Sequence, residues 1–309
     1  MKDLKLEYTK YVRNRYVTIV IILLSIMYGG ISLFLANSVT KADREPFEHT
    51  PEEYDLDYEA VTFQDSEGEI TLRGWHIQAN QEDPTIIFVH GLGSNRAGDE
   101  ALDLASRLAS KGYNSLLFDL RGHGMSDDKT ISGGFFEQHD LIGAVDFLTG
   151  IGIPESNIAV IGFSMGAAAA ILALSKEPNI TALVVDSTYS DISDLITQEV
   201  SRKTALPDWL VPVFIPGTKL AADLIYKIKI GELVPRDAVT KIDYPILIIH
   251  GKSDDRIPVE HGIEVHQSAH HGSKLWIVPE VPHMDSFLRY PDEYTIEVLN
   301  YLDQRFDSQ

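Results

Sequence analysis

The chain has 309 residues, 44% of them hydrophobic, enough for one large packed domain or two ordinary ones. A formal charge of -20 argues against nucleic-acid backbones as partners and disfavours anionic lipid headgroups. With no cysteine, disulfides, thiolate metal sites and a cysteine nucleophile are excluded, while the compartment stays open.

Residues 1–15 are basic, with Lys2, Lys5, Lys10, Arg13 and Arg15, and the stretch from Tyr16 to Ala36 then runs 21 residues without a charge. That length suffices to cross a bilayer as a helix. Only Lys41 and Arg44 follow closely, so the charge bias keeps residues 1–15 in the cytoplasm and puts everything after Asn37 outside, as in a single-pass protein of the cell membrane. Two other readings exist. Ala36-Asn37-Ser38 loosely matches a signal-peptide cleavage site, although the apolar run exceeds the usual length, and a buried core helix fits less well with Gly29-Gly30 and unbroken apolarity. Residues 37–55 are acidic and proline-punctuated, which suits a tether, and the globular part, 56–309, begins near Leu56.

Beyond the tether the pattern predicts strands at 57–64 and 70–78, joined by a "DSEGE" turn, and then at 85–90, 114–119, 158–163, 181–186, 245–250 and 274–279. Helices are predicted at 98–110, 137–149, 165–175, 259–270 and 291–305. After the opening hairpin, strands and helices alternate, which predicts an α/β fold with a mostly parallel, doubly wound, eight-stranded sheet. Residues 187–243 break the rhythm without a clear strand and read as a helical cap insertion. Within it "LPDWLVPVFIPG" is apolar, and Leu220, Leu224 and Ile228 recur at helical spacing beside Lys219, Lys227 and Lys229. Ordinary packing of a small cap explains this pattern, and so does an acyl-pocket wall or a surface touching the nearby membrane.

In an open parallel sheet, reactive groups belong at the carboxyl ends of strands. The segment "NIAVIGFSMGAAAA" is a buried strand turning into an alanine-rich helix, with Gly162-Phe163-Ser164-Met165-Gly166 at the turn matching the G-x-S-x-G nucleophile elbow. A glycine-rich turn with an N-capping serine is the plainer explanation of that motif alone. The strand "TIIFVH" ends in His90-Gly91-Leu92-Gly93, whose backbone N–H groups can join that of Met165 in binding an oxyanion. The strand "ILIIH" leads into His250-Gly251-Lys252-Ser253-Asp254-Asp255, and "KLWIVP" leads to His283, so serine, acid and histidine follow in that chain order. Of the 11 histidines, His261, His266 and His270 fall on one predicted helix, where the pair His266 and His270 lacks a third metal ligand. His123 reads as an organiser of its loop, Asp119 as support beneath the site, and Glu137 and Asp140 as carboxylates at the positive end of a helix dipole.

Taken together, these residues resemble the alpha/beta hydrolase superfamily from about residue 56 onward. The elbow carries the resemblance with His90-Gly91, with Asp119-Leu120-Arg121-Gly122-His123-Gly124-Met125-Ser126 as the D-x-R-G-x-G-x-S loop, and with His250-Gly251-Lys252-Ser253-Asp254 as the H-G-x-x-D acid loop. The chain looks most like bacterial membrane-anchored serine hydrolases and esterases with a short helical cap. That resemblance implies Ser164 as nucleophile, His283 as base, Asp254 as the acid orienting it, and the N–H groups of Leu92 and Met165 as oxyanion donors, with no cofactor and no metal. It implies cleavage of a small or lipid-like carboxylic ester through an acyl-enzyme. Thioester, amide or peptide cleavage and acyl transfer need the same machinery, and a non-catalytic surface binding module is a third class that would not require an intact triad. Asp255 is left to solvent or to Arg256.

Overall fold

Eight strands form one sheet: β1 (Tyr58–Gln64), β2 (Thr71–Ile77), β3 (Thr85–Val89), β4 (Asn114–Asp119), β5 (Ile158–Phe163), β6 (Ala182–Asp186), β7 (Leu247–Gly251) and β8 (Lys274–Val278). Their order is β1-β2-β4-β3-β5-β6-β7-β8, antiparallel across β1, β2 and β4 and parallel from β4 through β8. The computed structural model describes residues 2–42, 44–47, 49–80, 83–176, 180–204, 206–207 and 209–307, without the side chains of residues 2–7. The side chains of Lys2 and Lys5, and Asp208 in the apolar insertion, therefore lie outside the described residues.

Strands β3 to β7 are buried at every position, which is why they read as continuous apolar runs rather than alternating ones. Alternate side chains of each strand feed two cores. Ile87, Val160 and Ile248 face Leu141 of α3 (Glu137–Gly150), Ala170 of α4 (Met165–Leu174) and Val265 of α8 (Val259–Ser268). Ile86, Ile161 and Leu247 face Leu104 of α2 (Ala101–Ala109) and Val298 and Leu302 of α10 (Pro291–Asp307). The remaining helices are α1 (Lys2–Val39), α5 (Ile192–Lys203), α6 (Val211–Tyr226), α7 (Pro235–Ala238) and α9 (Ser286–Arg289).

Strand limits agree with the sequence reading to within two residues, whereas two helices are shorter than expected by two residues or more. Helix α2 starts at Ala101 rather than 98 because Asp99 and Glu100 are left-handed, at φ 57° and 55°. Helix α8 stops at Ser268, with Ala269 extended, so His270 lies off the helix and the expected His266/His270 pair does not share one face.

The chain divides into two compact units, Lys41–Leu195 with Lys229–Gln309, and Met1–Thr40 with Ile196–Ile228. The first holds the sheet and includes the outer parts of the insertion expected at 187–243. Residues of the expected tether carry specific contacts within this unit: Arg44 donates to the carbonyls of Gly124 at 2.7 Å and Ser126 at 2.8 Å, and Phe47 lies 5.3 Å from Trp75. In the second unit Leu35, Val200, Val211 and Phe214 form a small core, bringing α6 against the last third of α1. Among the described residues α1 is the one helix long and apolar enough to cross a membrane, and Val17, Val20, Leu23 and Met27 on it are exposed.

Candidate active site

The β5–α4 turn is tight because two glycines let backbones touch. A Cβ on Gly162 would lie 2.7 Å from Cα of Ala167, and one on Gly166 would lie 2.2 Å from the carbonyl oxygen of Val89. Between them Ser164 is forced to φ 50°, ψ -114°, a strained conformation for a residue with a side chain. Its N–H donates to the carbonyl of Asp186 at 2.8 Å and its carbonyl accepts from Ala168 at 3.2 Å, so β6 and the first turn of α4 hold the strain in place.

His283 stands beside this serine, its Nε2 3.0 Å from Ser164 Oγ and its Nδ1 2.7 Å from Asp254 Oδ2. Asp254 Oδ1 accepts from the N–H groups of Arg256 at 3.0 Å and Ile257 at 2.8 Å. Burial on its own would raise this carboxyl, but hydrogen bonds from His250, His283 and the Ile257 N–H outweigh it and hold the group well below the usual carboxylate range. An ionised carboxylate only accepts, so Nδ1 of His283 carries the proton and the Nε2 lone pair faces the serine hydroxyl. The structure thus brings Ser164 and Asp254 each within hydrogen-bond reach of His283.

At the end of β3, the N–H groups of the turn are divided among partners. Gly91 N–H donates to Asp99 Oδ2 at 2.7 Å and Gly93 N–H donates to His123 Nε2 at 3.1 Å. The N–H groups of Leu92 and Met165 meet no protein acceptor among the described residues. The turn abuts the serine, since a Cβ on Gly91 would lie 3.4 Å from Ser164 Cβ. The N–H groups of Leu92 and Met165 are thus unspent in the two backbone segments next to Ser164, and donors of this kind are what a developing oxyanion requires.

The histidines around the turn are neutral structural pieces. Burial depresses His90 to about 3; its Nε2 accepts from Leu120 N–H at 3.0 Å, so its Nδ1–H donates to the Gly91 carbonyl at 2.8 Å. His123, also depressed by burial, accepts from Gly93 through Nε2 and donates through Nδ1 to the Arg121 carbonyl at 2.8 Å, tying its own loop to the oxyanion turn. Asp119 takes the N–H groups of Arg96 and Met125 at 2.8 and 2.7 Å, as support beneath the site requires. Glu137 and Asp140 do more than face a helix dipole. Glu137 is buried and accepts from the N–H groups of Ser132 and Gly134, while Asp140 clamps the guanidinium of Arg121 at 2.6 Å. His261 meets Ser190 Oγ at 2.7 Å and His266 meets the Ser273 carbonyl at 3.0 Å. Among the described residues no group of three or more potential metal ligands converges.

Three contributors escaped the sequence reading. Asp99 holds Gly91, and burial pushes its carboxyl up to about 6. Asp186 accepts from Ser187 Oγ at 2.9 Å, and that hydroxyl in turn receives the N–H of Met284 at 3.3 Å, fixing the residue after His283. Asp186 ends a parallel strand, the one signal that could have found this chain; Asp99 sits in an ordinary polar loop and has none. Beside the turn a cleft of about 370 Å³ is lined by Glu45, His49, Tyr54, Leu92, Asn95 and Asp99.

A family model described as Hydrolase_4, serine aminopeptidase S33, matches residues 80–230. The uncharacterized protein YqkD of Bacillus subtilis is 29% identical over 244 residues, which are 77% of each chain. The lysophosphatidylserine lipase ABHD12 of Xenopus tropicalis is 25% identical over 220 residues, 68% of this chain and 53% of that protein. Among solved structures, the Pyrococcus furiosus esterase Pf2001 superposes with a TM-score of 0.70 at 28% identity, covering 86% of this chain and 100% of that one. The sheet order, the elbow on β5 and these likenesses agree, and the chain belongs to the alpha/beta hydrolase superfamily, as a hydrolase.

Proposed function

We propose that this protein is a serine esterase, held at the membrane by α1, that cleaves lipid-like carboxylic esters through an acyl-enzyme. The observation that carries the reading is the relay from Asp254 through His283 to Ser164, at 2.7 and 3.0 Å, beside the unspent N–H groups of Leu92 and Met165. Ser164 Oγ attacks the ester carbonyl carbon as His283 Nε2 takes its proton. The carbonyl oxygen becomes an oxyanion received by the two N–H groups, each such donor being worth roughly 10²- to 10³-fold in rate. Collapse breaks the bond to the alcohol oxygen, which leaves with the proton from His283. Water then attacks the acyl-enzyme, giving its proton to the same nitrogen, and release of the acid restores Ser164.

Esters are favoured over amides by the likeness to an esterase across that enzyme's whole length, and a lipid-like acyl chain by the likeness to a lysophospholipid lipase together with the apolar anchor. The cleft beside the oxyanion turn, lined by Glu45, Asn95 and Asp99, offers space for a polar alcohol portion. The test pairs a fluorophosphonate probe with a chain-length series of nitrophenyl esters, run beside thioesters and aminoacyl anilides. The parent chain should label and show an acyl-length optimum, and Ser164→Ala should abolish both. Labelling that persists in the purified variant would overturn the assignment of the nucleophile, and faster turnover of anilides than of esters would make the enzyme a peptidase.

A further inference from the structure

Helix α6 has two apolar faces, and only one of them is covered. Val211, Phe214, Thr218 and Ala222 are buried, at spacings of three and four residues, as expected for the face packed in the unit formed with α1. Trp209, Val213, Leu220 and Leu224 are 76%, 54%, 58% and 59% exposed, a second stripe along the same element and the loop before it. From Trp209 to Thr218 the sequence carries no charge; Asp208 stands immediately before this run and Lys219, Asp223 and Lys227 after it.

The contacts with α1 order this stripe along the anchor. Tyr28 stacks on Phe214 at 5.3 Å, a Cβ on Gly217 would come within 2.2 Å of Ser32 Oγ, and Tyr226 donates to Asn37 Oδ1 at 3.1 Å. The two helices therefore run the same way, with the charge-free half of α6 beside Tyr28 and the charged half beside Asn37. Tyr28 precedes the end of the uncharged run by eight residues, about 12 Å of helix, so α6 lies against the outer part of that run rather than beyond it.

The joint itself is built as helices in lipid are built. Pro216 lies inside α6, and beside it the Tyr28 hydroxyl accepts from Gly217 N–H at 3.2 Å and donates to the Val213 carbonyl at 3.1 Å. These two backbone groups are four residues apart, one on each side of the proline. Satisfying backbone groups through a neighbouring helix at a proline is the condition for tolerating proline where water is absent.

We infer that the uncovered face of α6, centred on Val213 and Leu220, is immersed in the acyl-chain layer of the leaflet on the side of the catalytic unit, so that the insertion is a second membrane-contacting element beside the anchor. This rests on α1 spanning the bilayer. The charge-free helical stretch Val211–Thr218 reaches about 12 Å, within the thickness of one leaflet, which identifies the occupant as lipid in a single leaflet rather than a spanning environment.

Because the chain has no cysteine, single-cysteine variants of the full protein test the inference directly. Val213→Cys and Leu220→Cys on α6, Ile22→Cys on α1 and Asp128→Cys on the exposed surface of the catalytic unit are reconstituted separately into phosphatidylcholine vesicles. Each is exposed to a charged maleimide, and each is also carried through with an environment-sensitive fluorophore and nitroxide-bearing phosphatidylcholine. Val213→Cys and Leu220→Cys should lose labelling by the charged reagent and show lipid quenching like Ile22→Cys, while Asp128→Cys labels fully without quenching. If the two α6 positions label like Asp128→Cys while Ile22→Cys is quenched, the anchor stands and the inference falls. If Ile22→Cys is itself unquenched, both fall, and hydrolysis of soluble esters by the same preparation still judges the esterase reading separately.

Discussion

Asp254 uses both carboxylate oxygens, Oδ1 on the N–H groups of Arg256 and Ile257 and Oδ2 on His283. Removing it frees the imidazole to take the wrong tautomer and orientation. Asp254→Ala should therefore cost about 10⁴-fold in turnover, in line with the loss of a triad carboxylate, whereas Asp255→Ala should stay near the parent rate. Steady-state kinetics on one nitrophenyl ester compares the two, and a mild Asp254→Ala beside a severe Asp255→Ala would shift the acid by one residue. Asp186 works in the opposite electrostatic sense. It is 1% exposed, and burial, partly offset by the Ser187 hydroxyl, pushes its carboxyl up to about 6 from an ordinary 3.8. The folded state then binds this proton more tightly than the unfolded chain does, so the group's contribution to stability is full below pH 3.8 and is lost as pH rises through about 6. Asp186→Asn keeps an acceptor for Ser187 and removes the charge. It should match the parent near pH 4 and exceed it by up to about 3 kcal/mol above pH 7, read from denaturant midpoints; an advantage independent of pH would contradict this.

The α1–α6 pair depends on close approach and on one hydroxyl. Tyr28→Phe keeps the ring stack on Phe214 but removes the hydroxyl that bonds the Gly217 N–H and the Val213 carbonyl, at a cost of about 0.5–1.5 kcal/mol per bond. Hydrogen exchange in vesicles should speed up in the α6 peptide containing Gly217 while the elbow peptide around Ser164 keeps its rate; unchanged exchange at Gly217 would mean that the hydroxyl contributes nothing. Gly217→Leu is the steric counterpart. Its side chain would meet Ser32 and Tyr28, so α6 should detach and the loop before it should become a site of proteolysis in detergent. An insertion as resistant as the parent's would show that the close approach is dispensable.

Across the whole molecule, α1 and the middle of the insertion, Ile196–Ile228, belong to one compact unit although they are far apart in sequence. This changes what cutting the chain does. With the basic residues Lys10, Arg13 and Arg15 ahead of the apolar run, protease added outside intact cells should reach the exposed Lys41, where the two units meet in the chain. The fragment beginning near residue 42 still contains α6, so it should remain with the membrane after cleavage and retain esterase activity there. Recovery of the active fragment in the wash would contradict the joint between α6 and α1. Full protection in intact cells, with cleavage after lysis, would reverse the topology.

The sequence by itself determined the sheet and the candidate chemistry, because both are written in short stretches of chain. Runs such as "TIIFVH" and "IAVIGF" are apolar on both faces, which only a covered parallel strand tolerates, and the ends of those strands named Ser164, Asp254 and His283. Tertiary structure alone decided which N–H groups remain free. Leu92 is left unspent because Asp99 claims Gly91 and His123 claims Gly93, and neither pairing has a local pattern to announce it. It alone also placed α6 on α1. Tyr28 and Val213 are 185 residues apart, and an apolar helix looks the same in sequence whether it covers a core, lines a pocket or faces lipid; only the partner on its other face tells them apart.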